Sequence, residues 1–249
     1  MIKANKLCKA YDDIVVLKEF DLEIKTGETL VILGRSGVGK SVFLKHVIGL
    51  EKPDSGSLEI DGVTISDLSG PQLYQAIRNT GMLFQGGALF DSLTVIENTS
   101  FYLDQHDDID EKEIEDRALK ALDMVGLKGT EYKMPSELSG GMKKRAALAR
   151  LIVYRPQILL YDEPTTGLDP IHAAQISDLI VKTQHELKAT SVVVTHDIPS
   201  AITVADRVAV LHEGRIIFIG EKEEFINSKD EMIRDFLEKA IPKGVNPYG

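Results

Sequence analysis

Gly34-Arg35-Ser36-Gly37-Val38-Gly39-Lys40-Ser41 matches the phosphate-loop pattern at every required position. Its glycines let the backbone curl so that successive N–H groups point inward at an anion, and a helix starting near Lys40 adds positive potential. In such a loop Lys40 bridges the β- and γ-phosphates of a nucleotide and Ser41 offers its hydroxyl to Mg²⁺, with Val42 completing the contacting run. A second run, Ile158-Leu159-Leu160-Tyr161-Asp162-Glu163, is apolar and ends in two carboxylates. Asp162 is the natural partner for Mg²⁺, and Glu163 can orient and deprotonate a water attacking the γ-phosphate. Alone, such an ending usually means a solvated strand terminus. The phosphate loop in the same chain supplies a partner for it.

These groups need a frame. Short strands are expected at Ile14–Leu17, Phe20–Ile24, Thr29–Leu33 and Ser57–Ile60, with Asp61-Gly62 closing a hairpin, and a helix over Ser41–Leu50 ending before Pro53. A strand therefore feeds the glycine loop, which feeds a helix. The middle of the chain, about Leu89 to Tyr154, reads as a helical insert. Its clearest element is Glu111–Met124, which sets Ile114, Ala118, Ala121, Leu122 and Val125 on one face. Beyond it strand and helix alternate as in parallel sheets: strands at Gln157–Asp162 and Ser191–Thr195, helices at Ala173–Leu187 and Ile198–Ala205. A hairpin of Arg207–Leu211 and Arg215–Ile219 turns at Glu213-Gly214, and a last helix, Glu231–Ala240, precedes a Pro/Gly-containing tail expected to be flexible. No internal repeat is evident.

Composition excludes several classes. With 43% hydrophobic and 27% charged residues the chain is an ordinary globular protein, not a disordered or fibrous one. Its 29 Lys and Arg against 39 Asp and Glu give −10, so the mean surface repels phosphate backbones and no nucleic-acid partner is expected. The basic strip Lys143-Lys144-Arg145 is read as a solvated helix face. No apolar run approaches the roughly 20 residues needed to cross a bilayer, and no signal segment is seen, so a cytosolic protein is expected. Cys8, the single cysteine, is read as a small buried hydrophobe.

Further short motifs fall in a fixed order. Tyr11 precedes the phosphate loop, and Gln85 ends a strand at Thr80–Phe84. Leu138-Ser139-Gly140-Gly141-Met142 opens a helix running through Lys143 to Tyr154. Gly167-Leu168-Asp169 follows the two carboxylates, and His196 follows the strand Val192–Val194. This set resembles the ATP-binding-cassette (ABC) ATPases over nearly the whole chain. The resemblance implies an α/β fold, an ABC-type P-loop ATPase with a RecA-like core, an antiparallel β subdomain and a helical insert. It places the cassette at residues 2–227, the helical subdomain at about 87–155, and a C-terminal helix and tail at 228–249. It further implies that Tyr11 stacks on adenine, that Gln85 approaches Mg²⁺ and the γ-phosphate at the hinge to the insert, and that His196 holds Glu163 and the water in line. The other histidines, His46, His106, His172, His185 and His212, lack such context and read as solvated or core residues. Two chains are expected to pair head to tail around two ATP molecules, each gripped by one phosphate loop and by Ser139, Gly140 and Gly141 of the other chain, with Asp169 crossing the interface. Met142 stands where many members carry Gln.

Gly86-Gly87-Ala88-Leu89-Phe90-Asp91-Ser92-Leu93-Thr94-Val95, with Ser41-Val42-Phe43 and the signature, is similar to the ATPases of Mla/Mce-type lipid transporters. That likeness implies integral-membrane permease subunits, a periplasmic Mce-type lipid-binding protein, a small cytoplasmic STAS-type accessory protein, and a peripheral position on the cytoplasmic face of the inner membrane. The 86–100 segment would then form the groove for a permease coupling helix, or else pack the core of the insert. The tail at 241–249 resembles an extension by which such ATPases clasp a neighbouring subunit. Import of an amino acid or other small solute, and a soluble ABC ATPase of iron–sulfur cluster assembly, remain the alternatives.

Overall fold

The computed structural model describes residues 1–106 and 109–240. The expectations for the tail fall outside these residues. From the N-terminus, β1 (Ile2–Tyr11) and β2 (Ile14–Ile24) pair antiparallel, and β3 (Thr29–Leu33) leads through the phosphate loop into α1 (Lys40–Val47). β4 (Ser55–Ile60) turns at Asp61-Gly62 into β5 (Val63–Thr64), and α2 (Gly70–Ile77) precedes β6 (Thr80–Leu83). The insert carries α3 (Val95–His106), α4 (Glu111–Met124) and α5 (Gly140–Ile152). Then come β7 (Ile158–Asp162), α6 (Pro170–Leu187), β8 (Thr190–Thr195), α7 (Ile198–Val204), β9 (Arg207–His212), β10 (Arg215–Glu221), α8 (Lys222–Ile226) and α9 (Glu231–Ala240).

Two sheets result. The smaller runs β2-β1-β4-β5 and is antiparallel; the larger runs β10-β9-β3-β8-β7-β6, with every neighbouring pair parallel except β9 and β10. β3, β7 and β8 are buried along their whole length, as parallel strands covered on both faces must be. Val31, Leu33, Leu159, Tyr161 and Val193 face the insert and α6, whereas Leu30, Ile32, Leu160, Val192 and Val194 face α1 and the smaller sheet. Fully burying each of these side chains is worth on the order of 1.5–3 kcal/mol, which makes the sheet a rigid frame for whatever its ends carry. All five residues predicted for the buried face of α4 are buried, and Asp110 caps that helix by accepting the Lys112 N–H.

The structure departs from the sequence reading chiefly in the smaller sheet. Ile14–Leu17 and Phe20–Ile24 are one strand, bent at Glu19, whose φ of 45° is left-handed. β1 was not anticipated, because Lys6 (φ 43°) shifts the phase of burial from Ile2 and Ala4 to Leu7 and breaks the period-two pattern. Cys8 sits at this paired irregularity. It is half-buried, not a core hydrophobe: its sulfur accepts the Glu19 N–H at 3.3 Å and donates to the Lys6 carbonyl at 3.6 Å. α2 and α8 also escaped the pattern: α2 buries no residue fully, and α8 is little more than one turn. The signature opens its helix as expected, with the first turn at Gly140 and Ser139 capping it by accepting the Met142 N–H at 3.3 Å.

Candidate active site

Strand order brings the distant motifs together. Leu33 of β3 pairs with Thr195 of β8, Asp162 of β7 with Val194, and Leu83 of β6 with Tyr161, so the carboxyl ends of four parallel strands lie along one edge. Ligands of such sheets bind at that edge. β3 is followed by the glycine loop of residues 34–39, β8 by His196 and β6, after Phe84, by Gln85, while β7 ends at Asp162 with Glu163 next. Ser36, Gly37, Lys40 and Ser41 share a cavity of about 250 Å³ with Gln85, Glu163 and His196; Val16 and Val42 form part of its wall.

The loop is built for an anion. Gly39 has φ 107°, and a Cβ there would lie 2.8 Å from a methyl of Val16 and 2.9 Å from its carbonyl oxygen, so only glycine allows β2 to pass so close. α1 begins at Lys40 with no acidic residue in its first turn and no side chain capping it, which leaves its N-terminal N–H groups to an external acceptor. Lys40 is buried, and its ammonium donates to the carbonyls of Gly34 (2.8 Å) and Arg35 (3.0 Å) and lies 3.2 Å from Oε1 of Glu163. Ser41 donates its hydroxyl to Oδ1 of Asp162 at 2.7 Å.

Glu163 is the most heavily held carboxylate of the site. Its φ of 47° is left-handed, a conformation costing a non-glycine residue on the order of 1–2 kcal/mol, and it turns the chain out of the strand. Oε2 accepts from Thr166 (3.0 Å) and Thr195 (3.3 Å) and lies 2.9 Å from Nδ1 of His196. Burial, the largest single influence, would raise its pKa; the His196 hydrogen bond, the charges of Lys40 and His196 and the Thr166 hydrogen bond together hold it below the ordinary glutamate value. Asp162 goes the other way: burial and then, despite the Ser41 hydrogen bond, the neighbouring Glu163 charge push its pKa up. A buried carboxyl under that strain is one that a divalent cation would relieve. The hydroxyl of Ser41, the carboxylate of Asp162 and the amide of Gln85 are hard oxygen donors suited to Mg²⁺. Among the described residues no group of three or more His, Cys, Asp or Glu could hold a metal ion.

Other expected residues stand apart. Tyr11 is exposed, donates its hydroxyl to Glu51 and has the Lys9 ammonium 5.5 Å from its ring centre; it does not line the phosphate cavity, where Val16 does. Arg35 lines a neighbouring cavity of about 340 Å³ that shares His196 and Ser36 with the first. Ser139, Gly140, Gly141 and Asp169 do not line the phosphate cavity, and Gly140 opens onto free space. Met142 packs against the core cluster of the insert.

The basic strip is not a solvated face. Lys144 is buried, donates to the carbonyl oxygen of Gln85 and feels the charges of Asp162 and Glu163; burial, partly offset by those carboxylates, lowers its pKa. Six positions on, Arg150 donates to the carbonyls of Gly87 and Ala88, each at 2.8 Å. One helix thus carries the signature at its start and grips the Gln85 loop with two cations. Its spacing hides this, since both residues read as polar positions of an amphipathic helix. In the adjoining segment Leu89 is partly buried against the core, while Phe90 is exposed and tilted against Phe101 at 4.6 Å between ring centres.

With this geometry, the comparison with known families is decisive. The ABC transporter model matches residues 17–166. The chain belongs to the ABC transporter family. It is an ATP-hydrolysing enzyme with the P-loop α/β fold of that family. It is 44% identical over 236 residues to a probable ribonucleotide transport ATP-binding protein, mkl, of Mycobacterium tuberculosis, covering 95% of this chain and 66% of that one. The chain thus spans about two thirds of the length of that relative. It is 37% identical over 238 residues to the intermembrane phospholipid transport system ATP-binding protein MlaF of Haemophilus influenzae, covering 96% of this chain and 90% of that protein. The dimeric post-hydrolysis structure of the ATP-binding cassette MJ0796, bound to ADP and Pi, superimposes with a TM-score of 0.82 at 35% identity, over 89% of this chain and 99% of that one. No helix among the described residues is long and apolar enough to cross a membrane.

Proposed function

We propose that this chain energises phospholipid transport between inner and outer membranes as the ATPase of an Mla/Mce-type complex. The catalytic half of the reading rests on the Glu163 carboxylate, held between Lys40 and His196 beside the phosphate loop. The cargo half rests on the likeness to MlaF over nearly the full length of both chains.

In this reading the N–H groups of residues 34–41 cradle the phosphates of ATP, Tyr11 stacks on adenine, and the Lys40 ammonium, still protonated, changes partner from Glu163 to the β- and γ-phosphate oxygens. Bound Mg²⁺, held by Ser41, Asp162 and Gln85, would neutralise charge on those oxygens. Glu163, released from Lys40, accepts a proton from the water that attacks the γ-phosphorus as the bond to the bridging oxygen breaks. His196 keeps that carboxylate in place. A second copy closes the site from its own Ser139, Gly140 and Gly141, with Asp169 crossing between chains. Ser139→Arg is then expected to leave ATP binding by the single chain unchanged and to abolish steady-state hydrolysis. Binding titration and phosphate release check this, and a variant that hydrolyses normally contradicts pairing.

The ATPase pair would lie peripherally on the cytoplasmic face of the inner membrane, below permease subunits that connect to a periplasmic Mce-type protein, with a STAS-type accessory on the cytoplasmic side. A tagged chain purified in mild detergent from its native host is expected to bring down a multi-span membrane protein together with phospholipid. The mkl likeness supports a second reading, ribonucleotide transport. Nucleotide cargo without lipid in that preparation would favour it, and recovery with soluble partners alone would sink both.

A further inference from the structure

The signature and the segment ending at Asp169 lie at the N-termini of α5 and α6, and one side chain spans the two. Oδ1 of Asp169 accepts the backbone N–H groups of Ile171 and His172, each at 3.1 Å, and caps α6. Oδ2 lies 2.5 Å from Nδ1 of the His172 ring, which fixes the imidazole in one orientation. The Cγ–Cδ2 edge of that ring lies against α5: a Cβ built on Gly141 would come within 3.0 Å of His172 Cδ2 and 3.5 Å of Cγ. Gly141 has no left-handed φ, so what would resist a side chain there is the imidazole, which would have to give by a few tenths of an ångström, and not the backbone conformation.

Capping accounts for only half of this. Two backbone N–H groups already satisfy one carboxylate oxygen of Asp169. The ring hydrogen bond is the largest influence holding that carboxyl below its ordinary pKa. The same ring then fills the space over the second signature glycine, so Asp169 and the start of α5 cannot shift independently without losing a hydrogen bond or a packing contact. Nε2, bonded to the carbon nearest Gly141, makes no hydrogen bond among the described residues.

We propose that His172 is a positioning residue that locks Asp169 and the signature of one chain into a single rigid unit presented to the nucleotide of the other. The proposal rests on head-to-tail pairing. In the intact ATPase, His172→Ala is expected to lower kcat on the order of tenfold, within the range by which contacting residues couple, with KM for ATP and Tm unchanged. His172→Asn, whose amide N–H can replace the Nδ1 donor, should restore most of the rate. Because the histidine acts through the aspartate, Asp169→Ala with His172→Ala should be no slower than Asp169→Ala alone. Normal kcat in His172→Ala, or losses that multiply in the double variant, would overturn the assignment. So would a Tm loss that tracks the rate loss and is not rescued by Asn, which would mark a helix cap alone. The pairing is checked separately, by light scattering of Glu163→Gln in Mg-ATP. If no dimer forms, the head-to-tail reading fails; if it forms and His172→Ala turns over normally, only the role of His172 fails.

Discussion

Glu163→Gln is expected to slow ATP hydrolysis by about two to four orders of magnitude, the range a positioned general base contributes, while ATP still binds. The substitution is nearly isosteric, so the amide can still accept from Thr166 and Thr195, and the phosphate loop is untouched. What it removes is the negative charge. Glutamine cannot take a proton from water, and it no longer competes for the Lys40 ammonium, 3.2 Å away in the wild type. Lys40 is then free for phosphate, so affinity for ATP should hold or rise. The ATP-bound pair should accumulate for want of hydrolysis. Single-turnover phosphate release together with light scattering reads both effects. Wild-type turnover would remove Glu163 from the mechanism and leave the carboxylate a structural partner of Lys40 and His196.

Lys40→Ala should weaken ATP binding by roughly ten- to a hundredfold, corresponding to the loss of a charge-assisted hydrogen bond worth about 1.5–3 kcal/mol. A second effect separates this variant from an ordinary loss of affinity. Glu163 is buried, and Lys40 is one of three groups, with His196 and Thr166, opposing the upward pull of burial on its pKa. Removing one partner of a buried pair costs on the order of 3 kcal/mol, so the variant should melt at lower temperature even without nucleotide. Nucleotide titration and thermal melting together test this, and unchanged ATP affinity would count against the phosphate loop as the binding element.

Much of the site was legible because its parts are written as contiguous runs. Eight loop residues between a strand and a helix, and an apolar strand ending in Asp-Glu, specify local backbone shapes whose N–H groups and carboxylates must emerge at strand ends. The long α4 was legible for a similar reason: its one-sided pattern matches one face of a helix, and all five forecast positions are buried. In the smaller sheet β4, its turn and both halves of β2 were legible, but β1 and the continuity of β2 were not, since left-handed residues at Lys6 and Glu19 shift the alternation on which strand reading depends.

The chain's sequence by itself therefore determined the phosphate loop, the two carboxylates, the order of the remaining motifs and the strand–helix alternation that frames them. Tertiary structure decided the pairings. Lys40 meets Glu163, Lys144 meets the carbonyl of Gln85, and His172 meets Gly141 across separations along the chain that no local pattern records. It also moved Cys8 out of the core and left Val16, not Tyr11, on the wall of the phosphate cavity. The physical reason is one of range. Backbone conformation and amphipathic spacing act over a few residues and can be read in order, whereas the contacts among these side chains exist only after β8 has inserted between β3 and β7 and α5 has folded back beside the loop that follows β6.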